Sequence, residues 1–89
     1  KNLILTGDFN LSPDAKSIKM IGDELKHCGP DYAEPTWTTK PFSFMGFEET
    51  KLKWRIDYIF ASKNIKTLNS KIIKTKFSDH LPIIVEIEF

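Results

Sequence analysis

Three apolar runs in this chain meet side chains that do not belong in a core. Gly7-Asp8-Phe9-Asn10 follows Leu3-Ile4-Leu5, Arg55-Ile56-Asp57-Tyr58-Ile59-Phe60 carries a carboxylate inside its own run, and Ser78-Asp79-His80-Leu81-Pro82 precedes Ile83-Ile84-Val85. Burying an unpaired charge is costly, so the apolar part of each run can pack only if the polar part leaves the layer and faces a cleft. The fold must therefore present Asp8, Asn10, Asp57, Asp79 and His80 at or near strand ends.

The rest of the chain supplies a frame for those ends. Residues 2–6, bounded by Gly7, predict a short strand buried on both faces. Ser12-Pro13-Asp14 predicts a helix start, with Ser12 as cap, Pro13 in the first position and Asp14 at the positive end of the dipole. Ile18, Ile21 and Leu25 give its apolar stripe. Gly29-Pro30 stops it, which leaves His27-Cys28 at its end, where a histidine is a dipole partner. Residues 30–53 predict a long surface loop with a short strand near Thr36-Trp37-Thr38. Residues 55–61 predict a clear strand, with Ile56, Tyr58 and Phe60 on one face. A further strand falls within 66–76. In 83–89, Ile83, Val85, Ile87 and Phe89 point inward. The last three strands have short links and are expected to pair antiparallel. The class is α+β: one domain over 1–89, a mostly antiparallel sheet and one main helix. So small a layer leaves much apolar surface open, which fits half of a larger sandwich.

Length and charge narrow the functions. A chain of 89 residues buries only about 60–65% of the surface it exposes unfolded. The lone Cys28 excludes an internal disulfide framework and gives no sign of a zinc cluster. No apolar stretch approaches the roughly 20 residues that span a bilayer. The sequence begins at Lys1, already beside an apolar run, and reads as a piece of something longer; localisation is not legible. Residues 51–76 carry seven Lys and one Arg against a single acid, Asp57, whereas residues 1–50 carry five Lys and eight acidic residues. The basic half is either a solvated edge or a surface for an anionic substrate such as nucleic acid.

The polar strings name a chemistry. Asp8 and Asn10 flank Phe9, so on extended chain they point the same way: Asp8 to hold and deprotonate a water, Asn10 to hydrogen-bond a phosphate. Turn chemistry at a strand end is the other reading. Asp57 needs a partner, either His80 or a cation such as Arg55 or a lysine. Asp79 and His80 are adjacent on extended chain and face opposite ways, so they do different jobs. His80, held by Asp57 on one ring nitrogen, aims the other at substrate as an imidazolium, while Asp79 takes a divalent cation. Asn10 and Arg55 are the candidate substrate-binding residues, and Asp79 and Asp8 the candidate metal ligands. Trp37, Phe42, Phe44 and Phe47 either stack on a base, insert in a lipid surface or close over the core.

Three such strings in this order resemble the endonuclease/exonuclease/phosphatase superfamily, the DNase I-like fold. Gly7-Asp8-Phe9-Asn10, Arg55-Ile56-Asp57-Tyr58-Ile59 and Ser78-Asp79-His80-Leu81-Pro82 look like the three C-terminal signature motifs of that family. The resemblance implies a four-layer α/β/β/α sandwich, of which this chain is half, and hydrolysis of a phosphate ester with Mg²⁺ or Mn²⁺. It implies Asp8 as the water-orienting residue and Asn10 on the scissile phosphate. Asp57 is then the partner of a catalytic His80, and Asp79 is metal-associated. The family's N-terminal half, with a metal-binding asparagine and glutamate, has no match here. The 89 residues alone are then expected to be inactive, and to self-associate through an exposed sheet face. A non-catalytic binding or assembly module is the alternative.

Overall fold

The computed structural model describes residues 2–89. Its elements run β1 (Ile4–Asp8), α1 (Lys16–Glu24), β2 (Lys26–His27), β3 (Phe42–Phe44), β4 (Phe47–Glu49), β5 (Asp57–Ala61), β6 (Lys66–Ile72) and β7 (Ile83–Glu88). The α+β class, with antiparallel pairing and one helix among the described residues, is as the sequence predicts. The chain is a slab of 43 × 27 × 18 Å. Its radius of gyration is 13.8 Å, above the roughly 12 Å expected of a compact domain this long.

β5 is the spine. Its period-two pattern puts Ile56, Tyr58 and Phe60 on one face, and all three are buried. Ile18 of α1 seats on Tyr58 and Phe60, with Phe9, Ile21 and Leu25 closing around them. Burying a side chain like Phe60 is worth about 1.5–3 kcal/mol. A second cluster joins Cys28, Ala61 and Ile65 to Val85 and Ile87 of β7, which fastens the β6–β7 ribbon to the spine.

Several sequence expectations give way to tertiary pairing. The last three strands do not form one sheet. β5 lies between β1 and β2, β6 pairs only with β7, and β3 pairs with β4. β1 is exposed along its whole length rather than buried on both faces. Pairing with β5 satisfies one edge of its backbone, and Leu3, Ile4 and Leu5 stay exposed. The helix starts later than its Ser-Pro-Asp signal. Ala15 donates to the Ser12 carbonyl in a turn, and Ala15, with no side-chain cap, precedes the first helical residue. The helix also stops earlier, at Glu24, because Lys26 and His27 pair with Ala61 and Phe60. His27 is thus a strand residue, not a dipole partner. Its Nε2 bonds the Pro30 carbonyl, and burial pushes its pKa below the ordinary value. Phe89 is 77% exposed rather than inward.

The loop over 30–53 contains a hairpin the sequence reading did not place. Met45 and Gly46 both take positive φ between Phe44 and Phe47, which is the turn a two-residue hairpin needs. Thr36-Trp37-Thr38 is laid against two neighbours, pairing at Trp37 with Trp54 and with His80.

Candidate active site

The register of β1 on β5 sets Asp8 directly opposite Asp57. Two like charges in that position repel across the strands. The imidazole of His80 offsets the repulsion by lying against both. Its Nδ1 stands 2.8 Å from Asp57 Oδ2, and its Nε2 stands 3.6 Å from Asp8 Oδ2. The first is a strong, charge-assisted hydrogen bond in which Nδ1–H donates to the carboxylate. The second is too long for one, so Nε2 and Asp8 face each other across a gap.

Each member is held by its own local geometry. Gly7 takes φ +154°, and a β-carbon there would meet the phenyl ring of Phe9 at 3.2 Å. Asn10 then adopts φ 53°, a left-handed conformation asparagine tolerates, and its N–H donates to Asp8 Oδ1 at 2.9 Å. Asp8 is thereby fixed through one oxygen and presents the other. Asp57 is positioned through its backbone: its N–H and that of Ile56 donate to the buried Thr36 hydroxyl, and Arg55 Nε donates to its carbonyl. The His80 segment is stitched to residues 36–39. Leu81 N–H donates to the Thr36 carbonyl, Thr39 N–H to that of Asp79, and the Thr39 hydroxyl to that of Ser78.

The imidazole is half-buried, and burial alone pushes its pKa down. The hydrogen bond that His80 donates to Asp57 and the charges of Asp57, Asp8 and Asp79 outweigh it, so the His80 pKa stands above its ordinary value. More of the ring is imidazolium near neutral pH than for a free histidine.

His80 divides two clefts. One, of about 510 Å³, is lined by Gly7, Asp8, Asp57, Tyr58, Ser78 and Pro82 among others. The other, of about 420 Å³, is lined by Asn10, Asp79, Trp37, Phe42, Phe47, Trp54 and Ile56. Asp8, Asp57 and His80 form a tight cluster whose ligand atoms lie within 4.8 Å of one another. Asn10 and Asp79 lie beyond that cluster, on the aromatic side of the ring, where Asp79 Oδ2 accepts the Trp37 indole N–H at 3.2 Å.

Arg55 is not where a substrate contact needs it. It is 3% exposed; its Nε and Nη1 donate to the carbonyls of Asp57, Asp31 and Glu34, and Nη2 is buried without a hydrogen-bond partner among the described residues. It pairs with neither the Asp57 carboxylate nor the cleft, since its side chain lies over Tyr32 and Tyr58. The aromatic side chains of the loop do not close over the core either; Phe42, Phe44 and Phe47 are exposed. Sequence reasoning missed Thr36, the buried hydroxyl that seats β5, and Trp54, whose N–H donates to Glu49 at 2.6 Å. Trp54, directly before the Arg55 string, was the available signal for one of them.

A hard divalent cation fits the donors present. Mg²⁺ takes one or two carboxylates and fills the rest of its shell from water and phosphate, and Asp8 and Asp79 are exposed carboxylates on the walls of the two clefts. The Asp8–Asp57–His80 group is also a possible ligand set, but His80 Nδ1 is engaged by Asp57.

The family model described as Endonuclease/Exonuclease/phosphatase family matches residues 1–80. No curated protein and no solved structure matches the chain.

Proposed function

Because the chain belongs to the endonuclease/exonuclease/phosphatase family, we propose that it hydrolyses a phosphate ester through the Asp57–His80–Asp8 arrangement. The observation that carries this reading is the 3.6 Å gap between His80 Nε2 and Asp8 Oδ2. A water or phosphate oxygen can sit about 2.8 Å from both atoms and bridge an acid to a base. Asp8, fixed through its other oxygen, orients the water and accepts its proton as the oxygen–phosphorus bond forms. The bond from phosphorus to the leaving oxygen breaks in line. His80, held protonated by Asp57, donates through Nε2 to the phosphoryl oxygen on which charge develops. Asn10 hydrogen-bonds the phosphate from the aromatic side. A divalent cation, Mg²⁺ or Mn²⁺, when bound, neutralises phosphate charge and stabilises the leaving oxygen. Asp8 and Asp79 are the residues that would hold it.

The α+β architecture fits part of the family's DNase I-like fold. Residues 1–89 by themselves are proposed to turn over little, and to self-associate through the exposed apolar run of Leu3, Ile4 and Leu5 at β1. Mass and sedimentation measurements beside an activity assay test this: a monomer with robust Mg²⁺-dependent turnover overturns it. The main test uses the full-length protein with Mg²⁺ against DNA, RNA, abasic DNA and small phosphate esters. The reading expects turnover of at least one substrate class, abolished by EDTA and strongly reduced in His80→Ala. Wild-type rates in that variant reject the mechanism, and absence of turnover on every class favours a non-catalytic module.

A further inference from the structure

We infer that the aromatic cleft beside His80 receives an unpaired nucleobase next to the scissile phosphate, so that the substrate is single-stranded nucleic acid. This rests on the phosphoesterase reading and names its substrate.

The cleft is built for a flat group. Both tryptophans of the chain, Trp37 and Trp54, line it. Each indole is fixed through its N–H, Trp37 by Asp79 and Trp54 by Glu49. Two further rings come from the short hairpin. Phe42 meets Trp37 edge-on at 5.1 Å, and Phe47 lies nearly parallel to it, with centroids 6.4 Å apart and planes 15° apart. Centroids at that distance are in direct ring contact, and Phe42 touches both rings, so a base stacks on the open side of this aromatic cluster, where Phe47 sits on an exposed two-strand hairpin. The volume of about 420 Å³ is in the range of small-molecule pockets, roughly 300–1,000 Å³. Asn10, Asp79 and His80 lie in the same wall, so the occupant is held beside the proposed chemistry.

Charge fixes what the flat group is attached to. Lys74 and Lys76 line a third cleft with Thr38 and Thr39. Thr39 is the residue bonded to the Ser78 and Asp79 carbonyls, so this basic cleft adjoins the segment that carries His80. Rings next to the reacting phosphate and lysines beyond it match a single strand, with a base on the aromatic side and phosphates on the basic side. A paired base cannot enter without leaving its stack, which favours single strands over duplex. A bilayer is the poorer occupant, because hydrocarbon in this cleft would desolvate Asp79.

The two tryptophans make the cleft its own reporter. Indole fluorescence of the full-length protein is titrated, with chelator present to prevent turnover, by a short single-stranded oligonucleotide. Parallel titrations use an abasic backbone of equal length, the matching duplex and anionic phospholipid vesicles. The expected result is saturable quenching by the single strand, at least tenfold weaker binding of the abasic backbone and of the duplex, and a loss of about five- to hundredfold in single-strand affinity in Phe47→Ala. Equal affinity for strand and abasic backbone, or a response to vesicles alone, overturns the inference, as does an unchanged affinity in Phe47→Ala. The wild-type comparison stands even if the variant misfolds. Turnover of phosphate esters without base-dependent binding sinks this inference alone. Base-dependent binding without turnover sinks the hydrolase reading alone.

Discussion

The two flanks of the His80 ring are built by different means. On one flank stand two carboxylates brought opposite each other by strand register, with Asp57 bonded to the ring at 2.8 Å. On the other stand four aromatic rings from a long connection and a hairpin, held by indole hydrogen bonds and ring contacts. The first flank is rigid because a backbone ladder fixes it. The second can change shape because half of it rides on a small exposed sheet. Chemistry belongs on the first and substrate choice on the second. Substitutions on the two flanks should therefore fail differently, one in turnover and pH dependence, the other in binding.

The largest effect falls on the ring itself. His80→Ala in the full-length protein should lower turnover by about 10²–10⁴-fold, the range for a lost general acid–base group. Circular dichroism should be preserved, since the ring is partly exposed. A loss expressed only in KM would move His80 to the binding flank and break the comparison.

Asp57→Asn comes next, and its signature is a shift along the pH axis. Activity that needs the imidazolium falls as pH rises through the His80 pKa, which lies above the ordinary 6.5. Removing the Asp57 charge takes away the leading contributions that raise that pKa and so lowers it, and the alkaline limb of the pH–rate profile should move to lower pH. Stability has the same sign. A raised folded-state pKa contributes stability that is fully present below the unfolded value and lost as pH rises through the folded one. The wild-type unfolding midpoint should therefore decline across that window, and the Asp57→Asn midpoint should decline less. A limb that stays in place would mean Asp57 does not hold the proton on His80.

Phe47→Ala should do less, and elsewhere: weaker single-strand binding, with the alkaline limb where wild type has it. That contrast also explains what could be read in advance. Asp8, Asp57 and His80 were legible because each interrupts an apolar pattern, and such an interruption needs a partner. The convergence of Asp8 and Asp57 required only that two strands pair, while His80 is brought to them by the bonds between residues 78–81 and 36–39. The aromatic flank was not legible, because no period runs through 30–53. Its shape comes from Thr36 and Trp37 docking on Trp54 and His80, residues 17 and 43 positions further along than Trp37. Arg55 misled for a related reason. It precedes β5, where strand alternation no longer holds, so its guanidinium lies over Tyr32 and Tyr58 instead of on the face of Asp57. The exposed β1 shows the same gap, since its apolar run promised burial that no described element provides.

The smallest effect tests whether the two flanks share a foundation. β5 and the residue that leads into it serve both: Ile56 lines the aromatic cleft and Asp57 the carboxylate one. Next to them, the Tyr58 hydroxyl lies 2.6 Å from the Leu11 carbonyl and 2.8 Å from that of Arg55. With one proton it donates to one carbonyl at a time. Burial, then Tyr32, push its pKa up to about 12, so it remains a donor at any working pH. The bond to Leu11 tethers the loop that carries Asn10 to the strand that carries Asp57. Tyr58→Phe keeps the ring and deletes only the tether, which should cost about 0.5–1.5 kcal/mol in unfolding free energy, the net worth of a typical hydrogen bond, since the Leu11 end is exposed. The kinetic cost should be a modest rise in KM, because Asn10 is the group set loose. The alkaline limb should stay fixed, because Asp57 and His80 are seated by Thr36 and residues 78–81 instead. If the limb moves with Tyr58→Phe, the flanks are not independent, and β5 transmits a change in the substrate side to the proton on His80.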